Sequence, residues 1–367
     1  MKIIVKQYLD NLIKYPVEKI DKKDSVIFLD IETTGFSSKT CMIYLIGCCY
    51  LDNGRWTLKQ WLAESPADEL LILKDFISFT ENFSTMIHFN GNQFDLPFIA
   101  NRCEKYDINF KADSMNGVDI YKRIYPYRFF LKLPNCKQKT IEEWLGIDRQ
   151  DTMQGGELIP VYQEYCHSFD ADALQLLLQH NADDVAGMLK VLPILLYSDF
   201  FHETYHIRKV QSNSYRDANQ DKKKELLISF QFEAALPKPL SYHANDCYFS
   251  ANGTEGILKI PVYQEEMKFF YTDYKDYYYL PEEDMAIHKS VSAYVDTAFR
   301  KQATASNCYT RKFSTYLPQW DYLFEPFFKR DYQSKNLFFE LTEELKTNRD
   351  AFSLYVSHIL SMLVKEH

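Results

Sequence analysis

The stretch Ser25-Val-Ile-Phe-Leu-Asp-Ile-Glu-Thr-Thr-Gly35 contains four consecutive apolar residues, which are followed by two carboxylates two positions apart. A continuous apolar run of this kind is typical of a β-strand that is buried on both faces. Side chains two positions apart point to the same face, so Asp30 and Glu32 are predicted to project together from the strand end. Such carboxylates repel each other unless a cation lies between them, and oxygen ligands suit Mg²⁺ or Mn²⁺. The alternative is an ordinary strand end that enters solvent.

The residues around this strand predict a sheet with helices on its faces. Short apolar, β-prone runs indicate further strands, two of which are joined by the hairpin signal Asp52-Asn-Gly54. Apolar residues at helical spacing indicate the helices. The expected strands are 41–50, 55–62 and 85–89, and the expected helices are 67–83, 96–106 and 172–197, the last with a kink or break at Pro193. Antiparallel strands followed by alternating strands and helices indicate an α/β fold.

Further candidate ligands stand on these predicted elements. Asp95 follows the polar turn Asn90-Gly-Asn-Gln-Phe94 at the start of a helix, where stabilisation of the helix N-terminus is the alternative role. His180 and Asp184 are one helical turn apart, so they can point to the same place or form an ordinary i,i+4 pair. Asp183 is a competing ligand at i+3. The joint presence of these features, rather than any one of them, predicts a metal site.

Taken together, the three motifs resemble the exonuclease motifs of the DEDD (DnaQ-like) superfamily, and within it the bacterial YprB-like group of RNase H-like predicted exonucleases. The motifs are Phe28–Gly35, Asn90–Phe98 and His180–Val185, and the stretch Gly155–Tyr165 also fits that group. The resemblance covers about residues 25–197. It implies an RNase H-like mixed sheet that carries the first motif on its opening strand, and 3′–5′ exonuclease activity.

The resemblance also implies the ligands and the substrate contacts. The implied metal-binding carboxylates are Asp30, Glu32, Asp95 and Asp184. Asp184 is preferred over Asp183 because the family motif places the aspartate directly before the position of Val185. The superfamily has a histidine five residues before the last aspartate or a tyrosine four before it, whereas His180 stands four before Asp184. His180 is nevertheless the candidate for positioning or deprotonating the attacking water. The predicted substrate-binding residues are Thr33, Thr34, Gly35, Asn90, Phe94 and Lys139.

Lys139 is included because it directly precedes Thr140-Ile-Glu-Glu143. That tetrad is a capping-box pattern, which would open a helix whose N-terminus could bind a phosphate.

The chemistry expected at such a site follows from charge. Two cations about 4 Å apart can activate a water, bridge a phosphate and stabilise the leaving oxygen during hydrolysis of a phosphodiester. A neutral imidazole, with a pKa near 6.5, can accept the proton of that water. Asp30→Asn or Asp184→Asn is expected to abolish turnover and leave the fold intact. Two alternatives stay open: a nucleic-acid-binding or scaffold protein that keeps the fold with little turnover, and a hydrolase of short oligonucleotides.

Two domains are predicted along the chain. An RNase H-like nuclease domain is expected at residues 1–205, a polar linker at 206–225 and an α+β accessory domain of unassigned role at 226–367. In the second domain, short β-prone runs lie at 226–233, 246–250, 256–260 and 267–271. Helices are expected at 286–296 and 337–364.

The composition restricts the class of protein. The 367 residues include 42 Lys+Arg and 51 Asp+Glu, a formal net charge of −9 that argues against coating nucleic acid through bulk charge. Eight cysteines without a C-x-x-C pair argue against a disulfide framework or a four-cysteine zinc site, and they fit a reducing cytosol. The sequence lacks an apolar run of membrane-spanning length, and the first ten residues do not predict a secretion signal. The resemblance implies nucleic acid as the partner, DNA or RNA and single-stranded, and the cysteine usage predicts a cytoplasmic protein.

Overall fold

The computed structural model describes residues 1–8, 13–110, 114–148, 153, 155–216 and 219–365. The chain divides into two compact units, Met1–Asp199 and Phe200–His367. Within the described part of the chain, no helix is both long and apolar enough to cross a membrane.

A six-stranded mixed sheet forms the centre of the first unit. Its strands are β1 Lys2–Gln7, β2 Val26–Thr33, β3 Ile43–Asp52, β4 Arg55–Leu62, β5 Thr85–His88 and β6 Asn116–Asp119. They lie in the order β1-β4-β3-β2-β5-β6. The first four are antiparallel to their neighbours, whereas β5 is parallel to β2 and β6 is parallel to β5. The predicted mixed α/β sheet is confirmed, with the first motif on a central strand.

Helices cover both faces of this sheet. They are α1 Glu69–Thr80, α2 Asp95–Lys105, α3 Ile120–Ile124, α4 Gln138–Leu145, α5 Gly155–Ser168, α6 Ala171–Val191 and α7 Leu195–Phe200. Phe76 of α1 and Ile99 of α2 belong to one core, and Tyr162 of α5 and Leu177 of α6 belong to another. Because β2 is covered on both faces, its residues before Asp30 are apolar without alternation.

Three local features of the first unit refine the sequence predictions. The edge strand β1 was not predicted. It has only six residues, its apolar residues lie between two lysines, and most of its side chains are exposed. The predicted break of the last helix is confirmed, since α6 ends at Val191 and Pro193 lies in a single 3₁₀ turn. The predicted capping box is wrong: α4 begins at Gln138, and the Thr140 hydroxyl donates to Asn135 Oδ1 at 2.7 Å.

Within its described residues, the second unit contains two antiparallel sheets and two α-helices, so the predicted α+β architecture is confirmed. The strands are β7 His206–Arg216, β8 Lys222–Gln231, β9 Leu240–Ala244, β10 Cys247–Asn252, β11 Glu255–Phe270, β12 Tyr277–Leu280, β13 Met285–His288, β14 Lys301–Gln302, β15 Tyr309–Gln319, β16 Phe327–Phe328 and β17 Leu337–Glu340. The helices are α8 Glu343–Thr347 and α9 Arg349–Lys365. Strands β12, β13 and β14 form the smaller sheet, and the others form the larger one around β11.

The polar segment predicted as a linker at 206–225 is instead part of the larger sheet. Residues 206–216 form β7, which pairs with β8 from His206–Gln231 to Arg216–Lys222. Most of β7 is exposed, and a strand that pairs through its backbone alone needs no apolar side chains. Polar composition therefore concealed a strand, and the linker prediction is wrong for these residues.

Other predictions for the second unit need correction as well. The two runs at 256–260 and 267–271 belong to one long strand, β11. The expected helix at 286–296 is replaced by β13 and a 3₁₀ turn, and the expected helix at 337–364 begins with β17. In the last two cases strand pairing to a neighbour overrides a helical pattern that was read from one segment alone.

Candidate metal centre

The first two carboxylates of the site stand on one face of β2. Asp30 and Glu32 pair across the sheet with Gly47 and Leu45 of β3, so all four residues share the face on which α6 packs. Glu32 is buried, and Asp30 is half-buried. The strand geometry therefore gives the two carboxylates the common orientation that was predicted.

Asn181 connects α6 to this face. Its side-chain Nδ2 donates to Asp30 Oδ2 at 2.9 Å, and its Oδ1 accepts from Gln60 Nε2 at 2.9 Å. A Cβ atom on Gly47 would lie 2.0 Å from Asn181 Oδ1, so only glycine permits this approach. Neither Asn181 nor Gly47 could be identified as a site residue from the sequence, because their roles depend on contacts between distant parts of the chain, such as that of Asn181 with Asp30 across 151 positions.

His180 and Asp184 lie one turn apart on α6 and meet Glu32. His180 Nε2 is 3.3 Å from Asp184 Oδ2 and 3.5 Å from Glu32 Oε1. One ligand atom from each of the three residues lies within 4.8 Å of the others, a spacing that could hold a metal ion. Asp183 instead accepts from Gln179 Nε2 at 2.8 Å and lines a separate cavity of about 250 Å³. The helix therefore directs Asp184, not Asp183, towards the other candidates.

Asp95 reaches the site from the N-terminus of α2. Its Oδ1 accepts from the backbone N–H of Ile31, which lies between the two carboxylates of β2. The loop before it is held by the buried Asp119 at the end of β6, which accepts from the N–H groups of Asn90 at 2.9 Å and Asn92 at 3.3 Å. Asp119 was not identified from the sequence; its place after the short run Gly117-Val118 gave little indication that it anchors a loop.

Electrostatics show that the four carboxylates influence one another. Burial raises the pKa of Asp30 well above its ordinary value, and the charges of Asp184, Glu32 and Asp95 raise it further. Burial is also the main cause that raises the pKa of Asp95 to about 7, with contributions from Asp119 and Asp184. We refer to Asp30, Glu32, Asp95 and Asp184 as the carboxylate cluster. Its oxygen donors and mutual repulsion fit a hard divalent cation.

The first residue of α5 also borders the cluster. A Cβ atom on Gly155 would lie 3.5 Å from Glu32 Oε2 and 4.0 Å from His180 Nε2. The N-terminus of a helix carries a partial positive charge, which favours nearby carboxylates. The glycine pair at 155–156 in the sequence is the signal that could have placed this backbone beside the site.

The predicted substrate-binding residues have mixed surroundings. Thr33 Oγ1 donates to the Gly35 carbonyl at 2.9 Å, and Thr34 Oγ1 accepts from the N–H of Met42 at 3.0 Å, so both hydroxyls shape the turn after β2. Asn90 has a positive φ of 62° in the loop that Asp119 holds. Lys139 donates to the Met153 carbonyl at 2.5 Å and is thus engaged within the protein.

Phe94 forms part of an aromatic surface beside the first motif. Its ring centroid lies 6.4 Å from that of Phe36, whose side chain is 91% exposed. Phe36 directly follows Gly35 in the sequence and was not selected as a candidate. Its exposure, which a single sequence does not reveal, makes it notable.

Comparison with known proteins agrees with the geometry of the first unit. Residues 27–196 match the family model RNase_H_2 of the RNase H superfamily. The uncharacterized protein YprB of Bacillus subtilis strain 168 is 27% identical over 178 residues. These residues make up 46% of this chain and 41% of YprB, so the match spans about two fifths of that relative.

Solved structures give more remote similarities. The family B DNA polymerase of Pyrobaculum calidifontis has a TM-score of 0.37 at 12% identity, covering 68% of this chain and 35% of the polymerase. E. coli exonuclease I in complex with a dT13 oligonucleotide has a TM-score of 0.32 at 11% identity, covering 62% of this chain and 55% of the exonuclease. At TM-scores this low the solved structures carry no argument about this chain. Residues 27–196 match the family model of the RNase H superfamily, and part of the chain is similar to YprB.

Proposed function

We propose that the chain is a metal-dependent nuclease that hydrolyses phosphodiester bonds of DNA or RNA, acting as a 3′–5′ exonuclease on single strands. The observation that carries this proposal is the convergence of carboxylates from β2, α2 and α6, with a buried histidine against two of them. The match of residues 27–196 to the family model of the RNase H superfamily supports a nuclease. The direction and the preference for single strands follow from the resemblance to the DEDD superfamily.

The carboxylate cluster would bind two Mg²⁺ or Mn²⁺ ions. Carboxylate oxygens are the ligands that these cations prefer, and bound cations would stabilise the ionised forms of Asp30 and Asp95, whose pKa values are raised by burial and then by neighbouring charges. When bound, they supply charge neutralisation at the scissile phosphate and lower the pKa of the attacking water. The cluster thereby fixes where the phosphate of the substrate must lie.

His180 would accept the proton of the attacking water. The imidazole is buried and faces the place where Glu32 and Asp184 converge, and a neutral imidazole is a suitable base near neutral pH. As the water oxygen bonds to phosphorus, the bond to the leaving sugar oxygen breaks and that oxygen takes up a proton. The same position would let Nε2 serve as a third metal ligand beside the two carboxylates. Metal-binding measurements separate these two roles.

The aromatic surface of Phe36 and Phe94 would contact the terminal bases of the substrate. An exposed ring can stack a base without regard to its identity, which suits an enzyme that degrades strands of varied sequence. Thr34, whose hydroxyl is already bonded to the backbone, would position this turn rather than the base itself.

The proposal is tested with single-stranded DNA and RNA labelled at either end. The full chain is incubated with each substrate in Mn²⁺, in Mg²⁺ and with chelator. We expect a ladder of shortening products from the 5′-labelled strand, early release of labelled mononucleotide from the 3′-labelled strand, and no products with chelator. Binding without cleavage would instead support a scaffold protein, and cleavage restricted to very short strands would support an oligonucleotide hydrolase.

Asp183 offers a matched control for this experiment. It neighbours Asp184 on the same helix but points to a different cavity. Asp183→Asn is expected to keep activity within about 2-fold of the unaltered protein, whereas Asp184→Asn loses it. Equal loss in both variants would contradict the ligand assignment.

A further inference from the structure

The second unit contains a cavity of about 530 Å³. Its walls come from the end of β11, the start of β12 and the loop that leads into β16. A concave site of this size accommodates a small molecule. We refer to it as the aromatic cavity.

Aromatic rings form most of its wall. Tyr271 and Tyr277 stack with ring centroids 4.4 Å apart, and Phe269 meets Tyr271 edge-on at 5.2 Å. Behind them lie the buried residues Ala286, Ala303 and Cys308, against which Tyr271 and Tyr277 pack. The wall is therefore held in place by the core of the smaller sheet region.

Two carboxylates are the charged groups of the lining. Asp273 follows β11 and Glu325 precedes β16, so they stand on separate segments. Both are exposed, and within residues 219–365 the structure gives neither side chain an ion pair or a hydrogen bond. Among the described lining residues there is no Lys, Arg or His. Phosphate-bearing ligands are disfavoured by this charge, and cations are favoured.

We propose that the aromatic cavity binds a linear polyamine. The faces of tyrosine and phenylalanine attract alkylated ammonium groups, and carboxylates at two positions suit a ligand that carries positive charges along a hydrocarbon chain. A compact monocation would need only one of the two carboxylates. A nucleotide would bring its phosphates towards both of them.

The test is calorimetric titration of the full chain with spermidine, in buffer with millimolar Mg²⁺ that competes for the carboxylate cluster of the first unit. We expect saturable binding with a Kd of about 100 μM or lower. Asp273→Asn and Glu325→Gln should each weaken binding by about 5-fold, because each removes one charge partner. Both side chains are exposed, so these variants keep the fold.

Ring substitutions and a control complete the experiment. Tyr271→Leu should weaken binding about 10-fold while Tyr271→Phe preserves it, since only the aromatic face is required. Glu282→Gln removes the same charge from an exposed position outside the cavity and should leave the Kd unchanged. The proposal is overturned if spermidine shows no saturable binding, if Glu282→Gln weakens it as much as Glu325→Gln, or if choline or AMP binds as tightly as spermidine.

Discussion

Glu69 and the carboxylate cluster are two regions of the first unit that bury acidic groups, and they do so in opposite ways. Glu69 is 1% exposed and is surrounded by donors. Arg102 donates to both of its oxygens, the N–H of Ile43 donates at 2.8 Å, and the Tyr106 hydroxyl donates at 2.7 Å. The hydrogen bond to Glu69 raises the pKa of Arg102.

Asp30 and Asp95 lack such a partner. They accept hydrogen bonds from Asn181 and from the N–H of Ile31, and in the described part of the chain neither forms an ion pair. A carboxylate next to a guanidinium is neutralised by the protein and serves the fold. Carboxylates buried next to one another raise each other's pKa and gain from an added cation. The difference distinguishes a carboxylate that stabilises the fold from carboxylates that are candidates for metal binding.

The largest expected effect comes from removing one charge of the cluster. Asp30→Asn should reduce nuclease activity by about 10³-fold or more, since metal-assisted catalysis supplies several kcal/mol of charge stabilisation. The free energy of unfolding of the metal-free protein should not fall, because one repelling charge is gone. Single-turnover cleavage and chemical denaturation measure the two quantities. An active Asp30→Asn protein would show that the carboxylate cluster, like Glu69, is not required for activity.

Substitution of His180 tests whether the imidazole acts as a base or binds the metal. His180→Gln should reduce turnover by about 10²- to 10⁴-fold if the imidazole is the base. In that case Mn²⁺ affinity, measured by calorimetry, stays within about 2-fold of the unaltered protein. A loss of Mn²⁺ affinity of more than about 10-fold would identify the imidazole as a ligand instead.

Breaking the buried ion pair between Glu69 and Arg102 should reduce the stability of the fold and leave nuclease activity unchanged. Glu69→Gln leaves the guanidinium of Arg102, itself 3% exposed, without its counter-charge. We expect a loss of about 3–5 kcal/mol in the free energy of unfolding, measured by urea titration. The exposed pair Glu343–Lys346 provides the control, because Glu343→Gln should cost less than about 0.5 kcal/mol. A similar loss of unfolding free energy in both variants would show that burial does not determine how much each ion pair contributes to stability.

Metal and pH should act together on the cluster. The pKa of Asp95 is about 7 in the fold against 3.8 ordinarily, so the folded chain holds this proton more tightly than the unfolded one. Stability of the metal-free protein therefore falls as pH rises through this interval, by about 2 kcal/mol between pH 5 and 8. Mn²⁺ should raise the Tm more at pH 8 than at pH 5.5. The same Tm gain at both pH values would contradict this linkage.

The smallest effect is expected at Asp119, whose side chain accepts hydrogen bonds from backbone N–H groups. Asp119→Asn retains only one acceptor oxygen for the N–H groups of Asn90 and Asn92. We expect a cost of about 1 kcal/mol in unfolding free energy. The displaced loop should also weaken Mn²⁺ binding several-fold through Asp95. Unaltered stability with unaltered metal affinity would show that the loop needs no anchor.

The ligand candidates could be predicted from the sequence because they stand on strongly patterned elements. The apolar run before Asp30 specifies a buried strand, and the spacing of His180 and Asp184 specifies one helical face. The supporting residues could not be predicted in this way. Asn181 meets Asp30 across 151 positions, and Asp119 meets Asn90 across 29, and no local pattern encodes such contacts.

The second unit was harder to predict because its strands follow pairing rather than side-chain pattern. Residues 206–216 are polar yet form β7, since the neighbouring strand β8 satisfies their backbone groups. The segment 286–296 has an amphipathic pattern, yet its first residues pair with β12 and form β13. Exposed strands of this kind carry too few apolar residues to reveal their periodicity.

The absent side chain of Gly47 controls how far α6 stands from the sheet. A methyl group at this position would wedge the amide of Asn181 outward, and the helix would carry His180 and Asp184 with it. Fifteen positions beyond Glu32, on a strand that holds none of the candidate ligands, the single hydrogen atom of Gly47 thus sets how closely the proposed ligands of α6 approach those of β2. A substitution at Gly47 should therefore displace the proposed ligands although Gly47 is not one of them.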